Sequence, residues 1–171
     1  MKTIGIIFAM NEELSALKKY LSLQRVNEIY ELIFYESELN NKRIILVESG
    51  VGKVNAGRTT QILIDNYHPD TIYNIGVAGG IDKSLAVGDV VISTSLVQHD
   101  FDITAFNHKK GYIPNVGDTI PVDNSLVINT QRILEPKKLS YKLGIIASGD
   151  IFCTSKDMAT KINQKFHALC V

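Results

Sequence analysis

The chain has 171 residues with 45% hydrophobic and 21% charged side chains, which fits a single globular domain over residues 1–171 with a buried core. Its 18 basic and 18 acidic residues cancel, so no net charge draws it to nucleic acid or to an anionic membrane. No apolar run approaches the ~18 residues that cross a bilayer, so we expect a cytoplasmic protein that binds a small neutral molecule or another protein.

Apolar runs alternate with amphipathic segments in the first half of the chain. In chain order the patterns predict a strand over residues 3–8, a helix over 11–21, a hairpin with strands over 30–39 and 43–48, a helix over 53–67 and a strand over 71–77. Pro69 follows the second helix closely and ends it, because the residue before a proline avoids the helical conformation.

The second half of the chain continues the alternation after a long irregular segment. Residues 107–122 (NHKKGYIPNVGDTIPV) have no hydrophobic period and contain two glycines and two prolines, as functional loops often do. The patterns predict strands over residues 87–97 and 141–148, helices over 125–134 and 155–166, and a further strand opening at HALCV. The whole order predicts an α/β fold with three α/β/α layers and a mixed, largely parallel, twisted central sheet, which binds ligands at the carboxyl ends of its strands.

The stretch SGVGKVNA, residues 49–56, has the look of a phosphate-binding loop, since a strand precedes it and a helix follows. That motif needs a glycine five positions before Gly52, where Val47 stands, and a hydroxyl residue after Lys53, where Val54 stands. Both requirements fail, so we do not expect a nucleotide triphosphate here.

Two carboxylates, Glu12 and Glu13, follow the first predicted strand at the beginning of a helix. The helix N-terminus favours an ionised carboxylate, which could act as a base or stabilise positive charge. The alternative is that both acids only offset the helix dipole. Spacing and composition do not choose between the two glutamates.

Two further strand ends carry candidate binding residues. In NIGVAGG, residues 74–80, glycines allow a ligand close to the backbone, although a tight turn explains them equally well. In ASGDIFC, Phe152 could stack on a flat base or fill the core. Cys153 and Cys170 have no metal-ligand spacing and are expected to be free thiols. His99, Asp100 and Asp102 are interpreted as polar contacts after a strand rather than as metal ligands.

Six ordered segments carry a family resemblance: AMNEE, SGVGKVNA, NIGVAGG, VGDVV, HDFDITAF and IASGDIF. Together they closely resemble the 5′-methylthioadenosine/S-adenosylhomocysteine nucleosidases of the purine and uridine phosphorylase superfamily, over the whole chain. The resemblance implies a nucleoside phosphorylase-like fold, no cofactor and no metal. It also implies hydrolysis of the N-glycosidic bond of both nucleosides, which releases adenine and a 5′-thioribose in methionine salvage.

The family resemblance also implies roles for individual residues. It assigns the water-activating glutamate to Glu13. The positions that it assigns to the substrate are Met10 beneath the ribose, Val51 in the 5′-thio pocket, Val77, Ala78 and Gly79 along the glycine-rich segment, Phe152 against adenine and Cys153 beside it. Phe106 and Pro114 resemble the pair that a neighbouring subunit lends to the pocket, so a homodimer is implied. Val77 departs from the hydroxyl residue that many relatives carry.

One departure from the family concerns the end of the sequence. Relatives continue with a Met-Glu pair on the ribose hydroxyls and a Ser-Asp pair whose aspartate protonates adenine, and these 171 residues contain neither. We therefore expect a C-terminally shortened domain with weakened activity, because loss of a general acid costs about 10²–10⁴ in rate. The alternatives are an impaired adenine-nucleoside-binding protein and a nucleosidase for another purine nucleoside such as futalosine. Phosphate is not the expected nucleophile, because two acids would repel it and no arginine stands at these strand ends.

Overall fold

The computed structural model describes the backbone of residues 1–171 and every side chain except that of Val26. The chain divides into two compact units, Met1–Val77 and Ala78–Val171. In the part of the chain that is described, no helix combines the length and the apolar character that a membrane crossing requires.

The N-terminal unit is built on a mixed five-stranded sheet. Its elements are β1 (Lys2–Phe8), α1 (Asn11–Lys18), β2 (Gln24–Ile29), β3 (Leu32–Leu39), β4 (Lys42–Glu48), α2 (Lys53–Tyr67) and β5 (Thr71–Asn74). The strand order is β2-β3-β4-β1-β5. Strand β1 is parallel to β4 and β5, whereas β3 is antiparallel to β2 and β4. The carboxyl ends of β1, β4 and β5 therefore meet at one edge of the sheet.

Side-chain alternation on β1 builds a core on each face of this sheet. Ile7 belongs to a cluster that contains Leu63 of α2. Phe8, one residue later, belongs to a second cluster that contains Leu14 of α1. Fully burying side chains of this size stabilises the fold by about 1.5–3 kcal/mol each. The predicted helix–sheet–helix layering is thus confirmed within this unit.

The C-terminal unit contains a second, four-stranded sheet. Its elements are β6 (Val90–Gln98), β7 (Ile120–Pro121), α3 (Asn124–Leu134), β8 (Tyr141–Ser148), α4 (Lys156–Phe166) and β9 (Ala168–Cys170), with short 3-10 turns at Thr104–Phe106 and Glu135–Lys137. The strand order is β7-β6-β8-β9, with β8 parallel to both β6 and β9. The core joins Val97, Ala147, Ile162 and Ala168. The predicted mixed, largely parallel α/β class is confirmed, with its strands divided between two sheets.

Most predicted elements are confirmed, and the differences have local causes. The sequence analysis missed β2, an edge strand with a bulge between Arg25 and Asn27 and little apolar alternation. The helix predicted over residues 11–21 ends at Lys18. The strand predicted over residues 71–77 ends at Asn74, because the next amides turn toward side-chain and strand acceptors described below.

Candidate active site

The Glu13 carboxylate is held by three backbone N–H groups at the beginning of α1. Its Oε2 accepts hydrogen bonds from the N–H groups of Ala9 and Met10, each at 3.1 Å. Its Oε1 accepts one from the N–H of Val77 at 2.8 Å. An ionised carboxylate offers about four acceptor positions, so three donors fix its orientation and leave about one position for water. Glu12 is exposed, whereas Glu13 is partly buried.

These three donors come from two neighbouring strand ends. Ala9 and Met10 follow β1 directly, and Val77 lies three residues beyond β5. The N–H of Ile75 donates to the carbonyl of Ile7 at 3.1 Å, which continues the contact between the two strands past the end of β5. Because β1 and β5 are parallel neighbours, their exits lie side by side, and a side chain from α1 can reach both.

Gly76 borders the same carboxylate and was not singled out as a site residue from the sequence. A Cβ atom on Gly76 would lie 2.7 Å from Oε1, 3.0 Å from Cδ and 3.2 Å from Oε2 of Glu13. Real Cβ atoms essentially never approach a heavy atom within 3.0 Å. The signal in the sequence was the glycine directly before Val77, which the analysis interpreted only as a turn or a ligand approach.

Val51 lies between two glycines that need left-handed backbone angles. Gly50 has φ 80° and Gly52 has φ 105°, a region that favours glycine. The side chain of Asn55 donates to the carbonyl of Val51 at 2.7 Å, which fixes the loop before α2. The Val51 side chain is 70% exposed, so it is available to a ligand. Lys53 begins α2, and the glycines serve the turn.

In the C-terminal unit, the glycine-rich segment pairs with the end of the chain. The N–H of Gly79 donates to the carbonyl of Val171 at 2.8 Å, and the N–H of Val171 donates back at 2.9 Å. A bridge between Gly80 and Cys170 continues this antiparallel pairing. Burial raises the pKa of the Cys170 thiol, which keeps it protonated and unreactive. Ala78 and Gly79 are themselves exposed.

Phe152 and Cys153 follow β8 and point in different directions. Phe152 is 88% exposed, whereas Cys153 packs against the core of this unit. The preceding turn is tied to β6, because the N–H of Asp150 donates to the carboxylate of Asp100 at 2.8 Å. Phe152 does not fill the core, so of its two interpretations only ligand or partner contact remains.

Phe106 and Pro114 both lie at exposed bends. Phe106 ends the 3-10 turn that Asp102 caps, since its Oδ1 accepts from the N–H and the hydroxyl of Thr104 at 3.0 and 2.7 Å. These hydrogen bonds, the backbone one first, lower the pKa of Asp102 below its usual value. Pro114 stands in a tight loop closed by two hydrogen bonds between the backbones of Ile113 and Gly117, each at 2.9 Å.

The structure groups the predicted residues within each unit. In the N-terminal unit, Glu13, Met10 and Val77 are joined by hydrogen bonds, and Val51 stands apart on its own loop. In the C-terminal unit, the predicted residues lie on three separate loops. Among the described residues, no group of three or more His, Cys, Asp or Glu side chains is arranged to hold a metal ion. The substrate-binding roles themselves stay predictions.

The comparisons with known proteins agree in one direction. The model of the phosphorylase superfamily matches residues 3–171. A 5′-methylthioadenosine/S-adenosylhomocysteine nucleosidase of Staphylococcus epidermidis is 40% identical over 163 residues, which are 95% of this chain and 72% of that protein. A crystal structure of the corresponding Helicobacter pylori nucleosidase has a TM-score of 0.95 at 32% identity, covering 99% of this chain and 73% of that one. The native futalosine hydrolase of Helicobacter pylori has a TM-score of 0.95 at 31% identity, with the same coverage.

The fold and the anchored carboxylate define an α/β protein of the nucleoside phosphorylase type. The chain belongs to the phosphorylase superfamily and, within it, to the 5′-methylthioadenosine/S-adenosylhomocysteine nucleosidase family. The resemblance carried by the six sequence segments is therefore confirmed.

Proposed function

We propose that this protein is an N-glycosyl hydrolase that uses water to cleave 5′-methylthioadenosine and S-adenosylhomocysteine, releasing adenine and a 5′-thioribose. The observation that carries the proposal is the Glu13 carboxylate, fixed by hydrogen bonds from Ala9, Met10 and Val77 in a chain that is 40% identical to a nucleosidase of that name.

The chemistry explains why a fixed carboxylate is needed. A glycosidic bond to a purine breaks through an oxocarbenium-like sugar, which a nearby negative charge stabilises. The acceptor position that the three N–H groups leave on Glu13 is suited to a water molecule, whose proton the carboxylate takes as the water attacks. General-base catalysis of this kind contributes about 10²–10⁴ in rate. A carboxylate that is already oriented needs no reorganisation during the reaction.

The C-terminal unit supplies the proposed contacts to the base. The exposed ring of Phe152 is available to stack on adenine, and the backbone at Cys153 and Gly79 offers polar groups to the nucleoside. Stacked aromatic pairs contribute about 0.5–1.5 kcal/mol beyond the area that they bury. Ala78 and the side chain of Val77 complete the set of proposed contacts.

The test is adenine release from the purified chain, followed by chromatography with 5′-methylthioadenosine and with S-adenosylhomocysteine. We expect adenine from both substrates, with no dependence on phosphate because water is the nucleophile. A strict requirement for phosphate would identify a phosphorylase instead. Adenine binding by calorimetry without any release over a long incubation would identify a nucleoside-binding protein.

A second candidate activity is hydrolysis of futalosine. The observation that favours it is the TM-score of 0.95 to the futalosine hydrolase of Helicobacter pylori, which equals that to the nucleosidase of the same organism. The two candidates share the anchored carboxylate and differ in the base and in the 5′ substituent. Competition between 5′-methylthioadenosine and futalosine in one assay gives their ratio of kcat/KM directly.

The proposal extends to assembly and location. Phe106 is 75% exposed and Pro114 lies on an exposed loop, as expected of residues that a homodimer shares with its partner's pocket. Both cysteines are free, which fits a reducing cytoplasm and a role in methionine salvage. Light scattering of the wild type and of Phe106→Ala tests the dimer, which we expect to weaken in the variant.

A further inference from the structure

We propose that Gly76 is a positioning residue for Glu13: the missing side chain at residue 76 creates the space in which the carboxylate reaches the N–H of Val77. The structural part of this inference stands on contacts alone. Its consequence for turnover rests on the proposed function.

The backbone of Gly76 does not itself require glycine. Gly50 and Gly52 of the same unit have positive φ angles, whereas Gly76 is outside that region. An alanine at residue 76 would therefore meet no backbone strain. The obstacle is steric, since the new Cβ would lie 2.7 Å from Oε1 of Glu13.

The carboxylate, rather than the backbone, is the group that would move. The backbone beside Gly76 is held by the hydrogen bond from the N–H of Ile75 to the carbonyl of Ile7. Glu13 meets the new Cβ with the far end of a flexible side chain. An alanine at residue 76 would thus displace Oε1 from the N–H of Val77 and leave the sheet and both helices unchanged.

The amide of Val77 reports this contact independently of catalysis. Val77 lies beyond the end of β5, and its side chain is 78% exposed. The hydrogen bond that the structure gives to its N–H is the one to Glu13 at 2.8 Å. Slow hydrogen exchange at this amide therefore measures the carboxylate in place.

The experiment compares Gly76→Ala with Glu13→Ala and with a matched control, Gly57→Ala, in the full chain. Gly57 lies in α2, and a Cβ there would meet nothing within 4 Å. By amide exchange in NMR, we expect protection at Val77 in the wild type and in Gly57→Ala, and loss of protection in the other two. In the adenine-release assay, we expect kcat of Gly76→Ala to fall on the order of 100-fold, the cost of a misplacement of about 1 Å, with KM within about threefold.

The outcomes separate the two proposals. Equal exchange at Val77 in the wild type and in Gly76→Ala overturns the positioning role, whatever the activity. Lost protection together with an unchanged kcat in an active chain overturns it as well. Lost protection in a wild-type background that releases no adenine supports the positioning of Glu13 by Gly76 and refutes the proposed function instead.

Discussion

In the N-terminal unit the key candidate residue is tied down, whereas in the C-terminal unit the candidate residues project freely. Glu13 is partly buried and accepts three backbone hydrogen bonds from two strand ends. Phe152 and Phe106 are 88% and 75% exposed, and only the backbone around them is fixed. A reacting group must be oriented before the reaction, whereas an aromatic surface gains its energy when it covers a ligand.

This contrast predicts where substitutions affect turnover and where they affect binding. Changes at the anchored carboxylate should lower kcat, because its contacts serve the transition state. Changes at the exposed rings should raise KM or the Kd for adenine, because those side chains contact little in the free protein. Changes in the backbone supports should alter stability first.

The largest expected effect is that of Glu13→Gln. The amide can still accept hydrogen bonds, but it carries no charge and takes no proton, so we expect adenine release to fall about 10²–10⁴-fold. Glu12→Gln is the matched control at the neighbouring exposed position and should stay within about twofold of the wild type, because surface changes of this kind cost little. Similar losses in both variants would remove the distinction that the hydrogen bonds make between the two glutamates.

The next effect concerns the exposed aromatic. Phe152→Ala should weaken adenine binding by about 2- to 13-fold, which corresponds to about 0.5–1.5 kcal/mol of stacking, and should leave the melting temperature unchanged. Calorimetry with adenine measures the first and thermal unfolding the second. Ile151→Ala is the control, since Ile151 is also exposed, at 57%. A lower melting temperature of Phe152→Ala would show that the ring has a structural role.

The support of the glycine-rich segment is a third place to probe. The side-chain amide of Asn163 donates to the carbonyl of Ala168 at 2.9 Å and to Asp82 at 3.2 Å. Asn163→Ala should lower the free energy of unfolding by about 1 kcal/mol, the net value of one such bond. Urea unfolding measures this. Asn66→Ala, which removes an exposed amide bonded to Ile62 on α2, should cost less, and the reverse order would contradict the assignment.

The sequence predicted the fold better than the contacts within the site. The helix over residues 53–67 has the bounds predicted from its apolar period, and the hairpin turns at Asn40 and Asn41, whose φ angles of 51° and 58° suit asparagine. Strand β2 was missed because an exposed edge strand lacks the alternation that a buried face imposes. The role of Gly76 was missed because it depends on two strand exits that are far apart in sequence.

The anchored carboxylate shows the same limit. Its residue type and helix position were visible in the sequence, but two adjacent glutamates offered no physical basis for a choice. Only the family resemblance pointed to Glu13. The structure supplies the missing reason, because the third position of α1 faces back to the N–H of Met10, in the manner of a capping box, while the second position faces solvent.

The smallest expected effect is a pH dependence in the C-terminal unit. Hydrogen bonds from the hydroxyl and N–H of Ser84, and then from Asn163, lower the pKa of Asp82 below the ordinary value of 3.8. The unfolded chain therefore binds the proton first on acidification, so the stability from Asp82 is complete above pH 3.8 and declines as the pH falls below it. Asp82→Asn should flatten the acid limb of the unfolding free energy measured in urea. Ser84→Ala, which removes the strongest of these hydrogen bonds and keeps the carboxylate, should flatten it partly. An unchanged slope in both variants would mean that the acid sensitivity arises at Asp89, Asp102 and Asp123, whose pKa values are also lowered by hydrogen bonds, and that Asp82 supports the segment through its backbone alone.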